Sequence, residues 1–277
     1  MNTTASPSAD TDLAQALLPI CIAAGDAILA VRRAGHGVEW KEDNSPVTEA
    51  DRAAEAIIMD GLAKVAAGIP VIAEESAYAG ALPDTGAEFF LVDPLDGTRE
   101  FVKGGNDFTV NIGLVRDGAP AVGAILLPET GKIFWGAVGA GAWRGVVVDG
   151  KVTEPERVSV RDAGGDPITV VASKSHRTPE TDAYIHKYDV EKLVSAGSSM
   201  KFCVVASGKA DLYPRMGPTM QWDTAAGDAI LRAAGGSVIT LDGKPLAYGP
   251  NGAAGAEGYR NPWFIAAGGL VPLPAKA

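Results

Sequence analysis

The chain reads as an α/β protein of the α+β kind: helices and antiparallel strands come first, then a half in which α and β alternate. Three observations predict this. Apolar residues recur at helical spacing in two segments near the start. Phe108, Val110, Ile112 and Leu114 then alternate with Thr109, Asn111 and Gly113, and Asp117-Gly118 and Thr130-Gly131 punctuate an antiparallel meander reaching Val148. Beyond it, single strands and short helices take turns.

In order along the chain, the first dozen residues, rich in Thr, Ser, Pro and Asp, read as a frayed end. Leu13, Leu17 and Cys21, with Leu18, Ile22 and Leu29, form the apolar face of a first helix. A polar loop runs from Lys41 to Pro46, and a second helix from Glu49 to Ala67, stopping at Gly68. Thr48 and Asp51 fit a capping box at its start. Val71-Ile72-Ala73 is a strand running into Glu74-Glu75, and Phe89 to Val92 is a strand running into Asp93. After the meander, Asp149-Gly150 and the polar stretch to Arg157 read as a boundary between an N-terminal unit, residues 1–155, and a C-terminal unit, residues 156–277. Ile168 to Val171 is a strand, and Thr178-Pro179 opens a helix with a capping residue and Pro in its first turn. Further helices cover Ser199 to Ser207 and Asp223 to Ala234, the latter ended by Gly235-Gly236. Ser237 to Leu241 and Trp263 to Ala267 are strands.

At 277 residues and 47% hydrophobic, the chain can bury a sizeable core. Its net charge of −10 argues against nucleic acid and anionic membranes as partners, because an acidic surface repels phosphate. An anionic substrate would therefore need local positive charge, from metal ions or a few placed Lys and Arg. Cys21 and Cys203 sit among apolar residues and read as buried free thiols. Met1 to Thr11 lacks a basic residue, so no signal peptide is expected. Gln15, Pro19 and Asp26 interrupt the apolar stretch Leu13 to Val31, which reads as a core helix rather than a membrane span. The expected location is cytoplasmic, with peripheral attachment to the inner face of the cell membrane as a further expectation. His36, His176 and His186 have no zinc-like or triad-like neighbours.

The most informative segment is Asp93-Pro94-Leu95-Asp96-Gly97-Thr98. An apolar strand delivers two carboxylates, Pro94 stiffens the turn, and Gly97-Thr98 opens a helix whose free N–H groups favour an anion. Hard oxygen ligands beside an anion-holding helix start suit Mg²⁺, which keeps part of its shell for phosphate and water. Read one at a time, Glu74-Glu75 is also compatible with a solvated surface, Asp223 with a helix N-cap, and Asp51 with a cap alone.

Taken together, Pro46 to Asp51, Ala73 to Ser76, Asp93 to Thr98 and Trp222 to Gly227 resemble, in order, the motifs of the inositol monophosphatase superfamily of Mg²⁺-dependent phosphatases. The resemblance implies a layered αβαβα sandwich. It implies two Mg²⁺, with a third in turnover: Glu74, Asp93 and the Leu95 carbonyl at the first, Asp93 bridging, Asp96 and Asp223 at the second. Gly97 and Thr98 would contact the scissile phosphate, with Glu74, Asp51 and Thr98 serving catalysis and the last two orienting the attacking water. The N-terminal unit would then carry most metal ligands, and the C-terminal unit Asp223 and the specificity residues.

Gly197 to Cys203, Gly208 to Arg215 and Gly217-Pro218-Thr219 resemble the branch of that superfamily acting on bisphosphorylated nucleotides. Relatives usually carry Glu where this chain has Gln221, a departure that leaves the ligand set intact. Inositol monophosphatases have an acidic residue where this chain has Pro214-Arg215. An Arg fork there suits a second phosphate, and Lys201 adds a second cation. Ser199, Lys201 and Arg215 are thus expected to bind substrate, together with Glu74, Leu95, Asp96, Gly97, Thr98 and Asp223. Ser173-Lys174-Ser175-His176 resembles a segment near the nucleotide, with His176 against the base. The implied substrate is a small nucleotide, adenosine 3′,5′-bisphosphate, with 3′-phosphoadenylyl sulfate beside it, in sulfate assimilation. The rival is an inositol or sugar monophosphatase on the same scaffold.

Overall fold

The computed structural model describes residues 7–35, 37–40, 46–162, 167–173 and 177–275. The first helix, α1 (Pro7–Ala34), is followed by a short antiparallel pair, β1 (Val38–Trp40) and β2 (Pro46–Thr48), and by α2 (Glu49–Val65). Seven strands then form one sheet: β3 (Val71–Ala73), β4 (Glu88–Asp96), β5 (Thr109–Arg116), β6 (Ala119–Leu127), β7 (Lys132–Ala137), β8 (Gly141–Val148) and β9 (Lys151–Val158). They lie side by side in chain order, antiparallel except for β3 against β4, so the expected meander is present. Two short helices interrupt the run, α3 (Glu74–Tyr78) after β3 and α4 (Thr98–Val102) after β4.

The second half contributes β10 (Ile168–Ser173), α5 (Pro179–Ile185), β11 (Val190–Ala196), α6 (Met200–Ala206), β12 (Leu212–Arg215), α7 (Ala225–Ala233), β13 (Ser237–Thr240) and β14 (Phe264–Ala267). Its strands form a mixed sheet ordered β11-β10-β12-β14-β13. Three apolar clusters reveal the layering. Leu17, Cys21, Ile28, Ile58 and Leu62 of α1 and α2 bury against Phe90, Ile112 and Ala124 on one face of the large sheet. Phe202, Val205, Ile230 and Leu231 of α6 and α7 fill the space between the sheets. Tyr184 and Ile185 of α5 cover the far face of the small sheet with Leu212 and Ile265. The order is helix, sheet, helix, sheet, helix, the αβαβα sandwich that the resemblance implied.

A pair of glycines sets how closely these layers meet. Gly113 of β5 and Gly123 of β6 are register partners. A Cβ on Gly123 would stand 2.2 Å from the Ala226 carbonyl oxygen, and one on Gly113 would stand 2.6 Å from the Ala226 nitrogen. Both contacts are impossible, so the start of α7 rests directly on the large sheet only because these positions lack side chains. That contact carries the residues just before α7 towards the ends of β4 and β5.

Three expectations need correction. The polar stretch to Arg157 is strand β9, not a connection, and Asp149-Gly150 is the turn leading into it. β9 crosses position 155, and the change from one sheet to the other comes after Val158. The frayed end is helical from Pro7, because Asp10 is buried and accepts two hydrogen bonds from the Arg116 guanidinium, each 2.9 Å. The polar loop before Pro46 lies mostly outside the described residues, but Val38–Trp40 and Pro46–Thr48 pair as a small hairpin that the sequence did not announce.

The stretch Ser8–Ala34 is long and apolar enough to cross a membrane, yet half of its most apolar window is buried inside the fold. Peripheral attachment to a membrane finds no support among the described residues. Cys21 and Cys203 are buried free thiols, and burial pushes Cys21 up to about 12.

Candidate functional site

The end of β4 and the two short helices next to it form one wall of a cavity of about 550 Å³. α3 begins where β3 stops, and its first residue is Glu74. Glu55 of α2 holds that start in place: its carboxylate accepts from the backbone N–H groups of Glu75 and Ser76 at 2.9 and 3.0 Å and from the Ser76 hydroxyl at 2.5 Å. A buried carboxylate on three donors at a helix N-terminus is a stable arrangement. Nothing in the local sequence pointed to Glu55.

β4 continues through Pro94 to Asp96, and its pairing with β5 shifts between Asp93 and Asp96. The irregularity leaves Asp93 buried and Asp96 partly open to the cavity. The Asp93 carboxylate accepts from the Leu95 N–H at 3.0 Å. Gly97 has φ +98° and a Cβ there would press on the Asp107 carbonyl oxygen at 2.8 Å, so the turn into α4 requires glycine.

The opposite wall comes from the second half. Met220 leads into a single 3-10 turn, Gln221–Asp223, and α7 starts two residues later. Asp223 is therefore not the N-cap of α7. Its carboxylate turns back and accepts from the Met220 N–H at 2.9 Å. Ligand oxygens of Glu74, Asp93 and Asp223 all lie within 4.8 Å of one another. Asp96 lines the same cavity beside this triad. Its Oδ2 is 2.7 Å from Ser199 Oγ, which is also 2.6 Å from the Asp223 carbonyl oxygen, and Asn111 Nδ2 donates to Ser199 Oγ at 2.9 Å. Ser199 and Asn111, both buried, thus tie Asp96 to the Asp223 turn. Asn111 stands opposite Asp93 in the β4–β5 register and was read in the sequence only as one polar member of an alternating strand.

The cluster is electrically strained. Burial, then the charges of Glu74, Asp96 and Asp223, hold the Asp93 carboxyl far above the usual carboxylate range. Burial, then Asp96 and Glu74, push Asp223 up to about 8. Carboxylates crowded in this way favour either a proton or a cation between them. Three converging hard oxygen donors fit a divalent ion such as Mg²⁺, so the donor set matches the group implied from the sequence.

Asp51 serves two purposes at once. One oxygen closes the capping box, accepting from the Thr48 N–H and Thr48 Oγ1, each at 2.7 Å. The other is 3.0 Å from Thr98 Oγ1, which is equally close to the Leu95 carbonyl. Burial, opposed by these hydrogen bonds, raises the Asp51 pKa. Thr98 and Gly97 face the cavity, as does Leu95.

The same cavity is also lined by Lys201 and Arg215, both buried. Lys201 Nζ donates to the Ser198 carbonyl and sits 5.2 Å from the Tyr213 ring centroid. Burial lowers its pKa to about 8, with the charge of Asp96 opposing that shift and Arg215 adding to it. Arg215 donates one Nη to the Pro218 carbonyl at 2.5 Å, and its Nε has no hydrogen-bond partner among the described residues. Ser173 lines the cavity at the end of β10, while Lys174, Ser175 and His176 lie outside the described residues.

The model of the inositol monophosphatase family matches residues 10–268. The chain is 42% identical over 243 residues to the 3′(2′),5′-bisphosphate nucleotidase CysQ of Salmonella typhimurium, covering 87% of this chain and 94% of that one. It is 30% identical over 262 residues to CysQ of Aggregatibacter actinomycetemcomitans, covering 94% of each. The crystal structure of CysQ from Bacteroides thetaiotaomicron superposes with a TM-score of 0.76 at 38% identity, over 94% of this chain and 98% of that one. Inositol monophosphatase from Anabaena superposes with a TM-score of 0.68 at 23% identity, over 93% and 90%, which is a likeness of fold.

Proposed function

Because the chain belongs to the inositol monophosphatase family, we propose that it is a Mg²⁺-dependent phosphatase that removes the 3′-phosphate of adenosine 3′,5′-bisphosphate, giving AMP and phosphate. 3′-Phosphoadenylyl sulfate is a second substrate on this reading, which places the enzyme in sulfate assimilation and in the cytoplasm. The observation that carries the reading is one cavity lined by two oppositely charged sets of groups: Glu74, Asp93, Asp96 and Asp223, and with them Lys201 and Arg215. A monophosphate needs only the first set, whereas a bisphosphate needs both.

Glu74, Asp93, the Leu95 carbonyl, Asp96 and Asp223 would hold two Mg²⁺, and a third would join during turnover. When bound, the ions would supply positive charge to phosphoryl oxygens and acidify water at the site. The residues of the chain do the rest. Gly97 and Thr98 offer the start of α4 to the scissile phosphate. With its proton donated to Asp51, Thr98 Oγ1 presents a lone pair to the cavity and orients the attacking water, and the raised pKa of Asp51 suits it to receive a proton relayed through Thr98. Arg215 and Lys201 hold the second phosphate, and the Arg215 Nε is the free donor such an anion would meet. Ser199 keeps Asp96 and the Asp223 turn in register. On this reading the N-terminal unit supplies most metal ligands and the C-terminal unit the specificity.

The test is phosphate release by the purified protein from adenosine 3′,5′-bisphosphate and from inositol 1-phosphate, with Mg²⁺ and with EDTA. The expected result is Mg²⁺-dependent release that strongly favours the bisphosphate. Equal rates on both substrates would point to the monophosphatase rival, and release unaffected by EDTA would overturn the metal reading.

A further inference from the structure

The segment from Leu246 to Asn261 wraps around the turn that carries Asp223. Gln221 is buried, and its amide meets the backbone of Gly249 twice: Nε2 donates to the Gly249 carbonyl at 2.8 Å, and the Gly249 N–H donates to Oε1 at 2.7 Å. The two backbone partners fix which end of the amide is which. Twelve residues on, Asn261 closes the other side. Its Nδ2 donates to the Met220 carbonyl at 2.7 Å and lies within 3.2 Å of the Thr219 and Thr224 hydroxyls, while its backbone N–H donates to the Thr219 carbonyl at 3.0 Å. Met220 and Arg260 form an isolated antiparallel bridge. Tyr259 packs on Trp222 with ring centroids 6.3 Å apart. These contacts to residues 219–224 all come from one strap, and the strap also brings Glu257 and Arg260 to the cavity wall.

We infer that Gln221 and Asn261 are positioning residues for Asp223, a two-point latch that sets where its carboxylate stands relative to Glu74 and Asp93. This inference rests on the proposed metal-dependent function. Met220 is the link: Asn261 holds its carbonyl, and its N–H holds the Asp223 carboxylate. Movement of the turn would therefore move the one wholly C-terminal member of the carboxylate triad. An amide at position 221 is needed because only a side chain with both a donor and an acceptor satisfies both backbone groups of Gly249. A carboxylate there would face the Gly249 carbonyl without a donor.

The experiment titrates Mg²⁺ into the wild type, Gln221→Met, Asn261→Ala and Ile185→Ala, reading binding by calorimetry and stability in EDTA by thermal melting. Gln221→Met keeps the volume and removes both bonds. Ile185→Ala truncates a buried apolar residue of α5 in the cluster on the far face of the small sheet, outside the strap and the cavity, and so reports loss of stability alone. The latch predicts a Mg²⁺ dissociation constant about tenfold weaker in the Gln221 and Asn261 variants, the usual effect of removing an outer partner of a ligand, and an unchanged constant in Ile185→Ala despite its lower melting temperature. Equal weakening in all three variants, or unchanged affinity in the first two, would overturn the inference while leaving the function standing. A wild type that binds no Mg²⁺ would overturn both.

Discussion

Replacing Asp223 with Asn should make the metal-free protein more stable at pH 8 and deprive it of its response to Mg²⁺. The free carboxyl at 223 is pushed up to about 8 from an ordinary 3.8, by burial first and then by Asp96 and Glu74. A carboxyl raised in this way binds more protons when folded than when unfolded between those two values. The metal-free fold therefore loses stability as pH rises through that window. At about 1.4 kcal/mol per pKa unit the ceiling is near 6 kcal/mol. Asp223 is open to cavity water on one side, which screens its neighbours, so a contribution on the order of 2 kcal/mol is the realistic size. For a chain of this length that is roughly a 4–8 °C shift in melting temperature. An amide oxygen can still accept from the Met220 N–H, so the turn itself should persist. In EDTA at pH 8 the variant should melt several degrees above the wild type, and at pH 5, where wild-type Asp223 carries its proton, the two should converge. Saturating Mg²⁺ should raise only the wild type, and more at pH 8 than at pH 5. A variant no more stable than the wild type in EDTA at pH 8, or a gap independent of pH, would refute the claim that crowded charge strains this site.

Three further changes probe the same cavity. Asp96→Asn should lower turnover by about 100-fold or more, since a metal-assisted phosphoryl transfer rests on such charge for several kcal/mol, while circular dichroism reports an intact fold; near-normal turnover would remove Asp96 from the metal ligands. Asp51→Asn separates capping from chemistry: loss of the cap alone lowers stability by about 1 kcal/mol, whereas loss of the Thr98 partner should also cut the rate per folded molecule by about 100-fold, measured as kcat beside a thermal melt. Arg215→Glu should raise KM for adenosine 3′,5′-bisphosphate by roughly 10- to 100-fold, the weight of a charged hydrogen bond, with little change for a monophosphate; equal effects on both would take Arg215 out of the specificity argument.

What the sequence disclosed depended on whether a feature was local. Asp93 to Thr98 was legible because a strand end, a Pro, two Asp and a Gly turn lie within six residues, and the capping box at Thr48 and Asp51 spans one helical turn. The second contact of Asp51, with Thr98 47 residues away, came only from family resemblance. β9 was missed because it is an edge strand with seven of its eight residues outside the core, so no buried face imposes alternation on its sequence. The first turn of α1 looked like a frayed end because the group that fixes it, Arg116, is 106 residues away. Glu55, Asn111 and Asn261 are single polar residues in unremarkable settings, and each earns its place through partners at least 20 residues distant.

The acids and the bases of the cavity share one physical predicament. The carboxylates raise one another's pKa, and Lys201 is held down to about 8 by burial, with Arg215 making matters worse. Neither set is comfortable alone, and on the proposed function each would be completed by its own ligand: divalent cations among the acids, a phosphate between the bases. A chain with net charge −10 could then bind a multiply charged anion without a basic surface, because the attraction is confined to one cavity in which Lys201 and Arg215 are themselves buried. The proximity of Asp96 to Lys201 ties the two sets together, since the charge of Asp96, followed by those of Asp223 and Asp107, opposes the loss of the Lys201 proton. Cations bound among the acids would withdraw part of that support, leaving Lys201 more dependent on a phosphate to stay charged. Metal and bisphosphate should therefore stabilise the fold together by more than either does alone, whereas metal and a monophosphate should not.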